Sequence, residues 1–174
     1  MKRYLKAGLL TLVLVLPALI VIFLHVFTEN HFTLPYVQPL VDSTGKVVVN
    51  GMDTVFYQIP IAADQKIRVT AFFGPNPSTQ LIQQFSRVEK LASEEVNVTS
   101  LKGPDTEKQA IDIYKLKPFQ KLKPSKTISY NEQFVLIDKQ GYVRGIYDGM
   151  DPEDVDRLLA ELKILIDIYN KVKD

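Results

Sequence analysis

A run of 22 residues without a charge, Ala7 to Thr28, constrains this chain more than any other feature. It reads AGLLTLVLVLPALIVIFLHVFT. As a helix it would extend roughly 33 Å, about the hydrocarbon thickness of a bilayer. Pro17 falls within it, and membrane helices tolerate proline with a kink. A cleaved signal peptide would carry a shorter apolar core and small residues at its exit. The exit here is His25-Val-Phe-Thr-Glu-Asn-His, without such a site. The run is therefore expected to be an uncleaved anchor, with residues 7–28 in contact with the lipid bilayer. Lys2, Arg3 and Lys6 precede it, and the positive-inside rule keeps that tip in the cytoplasm. The remainder would face the periplasm or another extracytoplasmic side of the inner membrane. The expected organisation is tip and anchor over 1–28, a connector over 29–50 and a folded domain over 51–174.

Cysteine is absent, which excludes a disulfide, a thiol redox centre, a cysteine nucleophile and a lipoprotein attachment site. With only His25 and His31, a histidine triad or a multi-histidine metal site has almost nothing to draw on. Three of the 21 basic residues and none of the 20 acidic ones precede Glu29, so residues 29–174 hold 18 basic against 20 acidic groups, a net of −2. That balance argues against nucleic acid as a partner.

Ile67–Phe73, IRVTAFF, reads as a strand covered on both faces. Gly74-Pro75-Asn76-Pro77-Ser78 then stops it and starts a helix that runs to about Glu95, with Leu81, Ile82, Phe85, Val88 and Leu91 inward. Val96–Leu101 is a second strand. Asp105 or Thr106 is expected to cap a helix through Tyr114, with Ala110, Ile111 and Tyr114 inward. Residues 115–127, with Lys115, Lys117, Lys121, Lys123 and Lys126, read as a basic solvated loop. Strands over 134–138 and 142–147 form a hairpin around Lys139-Gln140-Gly141. Asp151 and Pro152 open the last helix, whose apolar face is Val155, Leu158, Leu159, Leu162, Leu165, Ile166 and Tyr169. The order β-α-β-α-β-β-α predicts an α/β fold of the thioredoxin type, a central mixed sheet flanked by helices. In that arrangement the loop Gly74–Gln80 is the functional one, but no thiol is present to use it.

The run Phe134–Ile166, FVLIDKQGYVRGIYDGMDPEDVDRLLAELKILI, resembles the C-terminal part of the Sco/SenC family, membrane-anchored thioredoxin-fold proteins that help deliver copper to cytochrome oxidase. The residues that carry the resemblance are Leu136-Ile137-Asp138, Gly141, Arg144-Gly145 and Tyr147-Asp148-Gly149. Asp53-Thr54, Ile59-Pro60, Asp105-Thr106 and Tyr114 are similar to further family segments. The family's C-P-x-x-C-P copper motif would align here with Asn76-Pro77-Ser78-Thr79-Gln80-Leu81, which puts Asn76 and Gln80 at the two thiolate positions. The family's histidine position would fall on Tyr130. Cu(I) prefers soft thiolate or thioether ligands.

What the resemblance implies is thus a member without the copper and redox centre: no catalytic residue, no cofactor, no metal. The expected role is a non-enzymatic one in respiratory oxidase assembly, beside a respiratory-complex subunit or an intact Sco-like protein. Pro75, Asn76, Pro77, Ser78, Thr79, Gln80 and Tyr130 form the expected partner-binding loop. The alternative is a membrane-tethered thioredoxin-like binding module for an extracytoplasmic ligand or peptide, unrelated to copper.

Overall fold

The computed structural model describes residues 13, 15–23, 33–60, 65–117, 119–123 and 126–171, with side chains described outside 118–127. The chain divides into two units, residues 1–33 and 34–174. In the first, residues 15–23 are helical, and Val15, Leu16, Leu19, Ile20, Val21, Ile22 and Phe23 are all exposed. Among the described residues no helix is long and apolar enough to cross a membrane. The rest of the expected span over 7–28 lies outside the described residues, as do His25 and His31.

The second unit is built on a four-stranded sheet of order β4-β3-β7-β8. Its strands are β3 (Ile67–Phe72), β4 (Val96–Leu101), β7 (Gln133–Ile137) and β8 (Val143–Asp148). β3 runs parallel to β4 and antiparallel to β7, which pairs antiparallel with β8. The helices are α1 (Thr79–Glu89), α2 (Thr106–Asp112) and α3 (Pro152–Lys171). This is the mixed sheet with flanking helices that the alternation of elements predicts, in the thioredoxin connectivity.

Strand periodicity divides the core into two layers. Ile67, Val69 and Ala71 of β3 and Phe134 and Leu136 of β7 point to α1 and α3, where they meet Leu81, Val88, Val155, Leu158, Leu162 and Leu165. Phe72, Val135, Ile137 and Val143 point the other way, to Ala110 of α2, Leu116 and Ile59. Because both faces are covered, every residue of β3 except Arg68 is buried. α3 starts as its sequence dictates: Asp151 Oδ1 accepts the Glu153 amide at 3.0 Å, and Pro152 takes the first helical position.

Four expectations need correction. α1 ends at Glu89, six residues early, because Ser93 and Val96 exchange backbone bonds at 3.0 and 3.3 Å in the tight turn that leads into β4. Ile82 is 44% exposed, since α1 buries only the narrow stripe of Leu81 and Val88. Asp105 stands at the N-cap of α2 with φ −89° and ψ 0°, outside the extended backbone that lets a cap side chain turn back, and it makes no capping bond. The basic stretch is a loop only in part: Lys115 and Lys117 precede any strand, while Lys121, Lys123 and Lys126 fall on β5 (Phe119–Lys123) and β6 (Lys126–Ser129), which pair antiparallel. Short β1 (Val49–Asn50) and β2 (Asp53–Thr54) form another hairpin.

Residues 34–60, of which 34–50 were expected as a connector, are bonded into the domain. The Val37 amide donates to the Val143 carbonyl along the outer edge of β8, and the Ile59 amide to the Gly141 carbonyl. Arg144 makes the main anchor. Its Nη1 donates to the Leu34 carbonyl at 2.6 Å, its guanidinium lies 3.8 Å from the Tyr36 ring centre, and its Nε pairs with Asp138 Oδ2 at 2.7 Å. Asp138 is fully buried, and its other oxygen accepts the Gln140 and Tyr142 amides at 2.9 Å each.

Two outcomes test this core. Leu162→Ala should cost roughly 2–5 kcal/mol in denaturant titration, whereas Ile82→Ala should stay within about 0.5 kcal/mol. The second concerns Tyr147, which is buried, donates to Glu161 Oε2 at 2.7 Å, and is held far above the usual tyrosine range by burial first and the Glu161 carboxylate second. Its proton is retained in the folded chain after the unfolded chain has lost it. Stability should therefore fall as pH rises above about 10, at up to ~1.4 kcal/mol per pH unit from this group. Tyr147→Phe should flatten that alkaline slope; an unchanged slope would assign it to other groups.

Candidate functional site

The loop after β3 leaves the sheet where the Phe73 amide donates to the Leu101 carbonyl at 2.9 Å. Phe73 stays buried against Phe85, and the chain then emerges: Pro75, Asn76, Ser78, Thr79 and Gln80 are exposed, and Pro77 is half-buried. Ser78 caps α1, its hydroxyl accepting the Leu81 amide at 3.2 Å. The loop is thus fixed at both ends by backbone and capping bonds.

Its partner across the domain is the turn between β8 and α3. Gln80 Nε2 donates to the Met150 carbonyl at 2.7 Å, and the Ser78 hydroxyl lies 3.1 Å from Met150 Sδ. That turn is held by the Met150 amide on Asp148 Oδ1 at 2.9 Å and the Gly149 amide on the Glu132 carbonyl at 2.7 Å. Gly149 is required there, because a Cβ would sit 2.6 Å from Leu81 Cδ1, 2.8 Å from Phe134 Cε1 and 2.9 Å from the Glu132 oxygen.

The third wall is the 3₁₀ turn Tyr130–Glu132 before β7. Tyr130 is directed to α2, its hydroxyl 3.5 Å from Glu107 Oε2. Burial, then the Glu107 carboxylate, raise its pKa above the usual phenol value. Its neighbour Asn131 is the residue that approaches the loop: a Cβ on Gly74 would stand 2.7 Å from Asn131 Nδ2. Behind it Gln133 is completely buried with neither amide atom hydrogen-bonded among the described residues, and Asn131 Oδ1 and Thr106 Oγ1 are buried in the same condition.

The structure therefore brings Ser78 and Gln80 to Met150, sets Tyr130 on Glu107, and brings Asn131 to Gly74. Asn131 and Met150 belong to this site although the sequence does not place either of them beside the loop. Each acts from a turn that meets the loop only after folding, 57 and 70 residues or more along the chain respectively from Gly74 and Gln80. The one local signal is the Asp148-Gly149 pair, which marks a tight turn.

Copper does not suit these donors. Positions 76, 80 and 130 offer two carboxamides and a phenol in place of soft ligands. The Gln80 amide is engaged with Met150 and the Tyr130 hydroxyl faces a carboxylate. The sulfur at the site, Met150 Sδ, faces the Ser78 hydroxyl. Among the described residues no group of three or more histidine, cysteine, aspartate or glutamate side chains could hold a metal ion. What the loop leaves at the surface is the neutral carboxamide of Asn76 and the hydroxyl of Thr79.

No protein-family model matches the chain, and no curated protein matches it. Among solved structures, the chain is similar to BsSco, a member of the Sco family of cytochrome c oxidase assembly proteins: 15% identity, 75% of this chain and 92% of that one covered, TM-score 0.38. It is also similar to a SCO1/SenC family lipoprotein from Bacillus anthracis str. Ames: 16% identity, 80% of this chain and 98% of that one covered, TM-score 0.38.

Proposed function

We propose that this chain is a membrane-anchored, Sco/SenC-like assembly factor that binds a partner and carries no copper or redox centre. The observation that carries the reading is the chemistry of the loop before α1. In a thioredoxin arrangement this loop opens onto a helix N-terminus, where a thiolate would be stabilised. Here the exposed positions are Asn76 and Gln80, and Gln80 ties the loop to the turn before α3. A loop so fixed presents one surface at little entropic cost, which favours recognition. The resemblance of Phe134–Ile166 to the Sco/SenC pattern supplies the link to respiratory oxidase assembly, and the partner is a subunit of that complex or an intact Sco-like protein. Residues 7–28 supply the anchor, and the domain works on the extracytoplasmic side of the inner membrane. The role is non-enzymatic.

Three measurements test these statements. After alkaline carbonate washing the full-length chain should remain in the membrane pellet; a soluble, shortened protein starting near residue 29 would refute the anchor. In competition with a Cu(I) chelator the wild-type chain should bind no better than a generic protein surface, and stoichiometric binding would restore a metal role. A photo-crosslinking amino acid at the exposed position 76 should capture an oxidase subunit or a Sco-type protein in native membranes. Capture of neither, or only of secreted peptides, would transfer the loop to the alternative of a binding module unrelated to the oxidase.

A further inference from the structure

On the opposite side of the sheet from α1 and α3 lies a cavity of about 440 Å³ that the proposed function leaves unused. It falls within the roughly 300–1,000 Å³ typical of small-molecule sites. Its floor is Leu116 and Ile146, both part of the core layer under α2. Leu40, Val41 and Val47 make its apolar wall, with Val41 54% and Val47 47% exposed at the rim. Lys115 and Lys117, both exposed, line it, and among the described residues no acidic one does.

The basic wall is built rather than incidental. The chain turns sharply after α2, with Lys115 in the left-handed region at φ +52°, a conformation uncommon outside glycine. Three successive carbonyls of that turn are held by side chains from the N-terminal segment. The Tyr57 hydroxyl donates to Ile113 at 3.0 Å, and Gln38 Nε2 donates to Tyr114 at 2.8 Å and to Lys115 at 3.1 Å. Tyr57 and Gln38 both line the cavity, so the residues that shape the pocket also hold the backbone turn that carries Lys115. A strained residue sustained by surrounding bonds is a common mark of a binding site.

An apolar trough with cationic groups of one sign complements one class of molecule, and we propose that this cavity binds a free aliphatic carboxylate, its chain against Leu40, Leu116 and Ile146 and its carboxylate at Lys115 and Lys117. A neutral or cationic amphiphile would bury the same chain without satisfying the lysines. The proposal is independent of the partner-binding loop, which lies on other elements.

The test uses the full-length chain in phosphatidylcholine nanodiscs and dodecanoate carrying a diazirine, with labelled sites read by peptide mass spectrometry. Labelling should saturate and map to residues 37–47, 57, 115–117 and 146. Dodecanoate should displace the probe at about tenfold lower concentration than dodecanol or dodecyltrimethylammonium, as two ion pairs at a surface would give. The double variant Lys115→Gln, Lys117→Gln should abolish that preference, with circular dichroism confirming the fold. The wild-type competition stands even where the variant unfolds. Scattered, unsaturable labelling, or equal displacement by all three amphiphiles, would overturn the site. Loss of labelling in phosphatidylglycerol nanodiscs alone would overturn the free carboxylate in favour of a bilayer lipid.

Discussion

The ion pair between buried Asp138 and half-buried Arg144 joins the β7–β8 turn to the segment that begins at Leu34. A carboxylate with no solvent exposure survives only when its acceptor sites are filled. Asp138 fills them with two turn amides and the guanidinium. The turn amides set the β7–β8 reversal, whose Gly141 adopts φ +92° and lies too close to the Ile59 carbonyl for a side chain. The guanidinium, held by Asp138, is then aimed at the Leu34 carbonyl and the Tyr36 ring. Tyr36 in turn packs on Phe56 and Tyr142. One ion pair thereby fixes a hairpin, a strap along the sheet edge and the aromatic cluster between them.

The residues that carry the family resemblance are accounted for by the same packing. Asp138, Gly141 and Arg144 make the turn and its ion pair. Gly145 leaves room for the Tyr147 ring, which would overlap any Cβ there, and Tyr147 reaches Glu161 on α3. Asp148 and Gly149 set the turn that receives Gln80. The pattern is thus a set of instructions for joining a hairpin to a helix. It speaks to architecture rather than to chemistry.

Much of the architecture was legible because its periodicities are strong. β3 is mostly apolar or β-branched, and the stripe on α3 repeats through about four turns, so both elements and their buried faces follow from spacing. The β5–β6 hairpin was obscured because its alternation is written in lysines flanked by Pro118 and Pro124, which read as a charged loop. The helical repeat places Ile82 inward because spacing alone cannot state how wide the buried stripe will be. The site was legible only as a loop. Its contacts to Met150 and Asn131 join turns that the sequence places far apart, and only the sheet order brings them together.

The strap held by Arg144 has a consequence for synthesis. Leu34 leaves the ribosome 110 residues before the side chain that retains it. Until then Leu34 and Tyr36 have no place to dock, since the hairpin that receives them does not exist. Asp138 and Arg144 are six residues apart and can meet as soon as their own turn forms. The first part of this domain to be made is therefore among the last to be secured, and the apolar segment just behind the proposed anchor waits uncovered through most of translation.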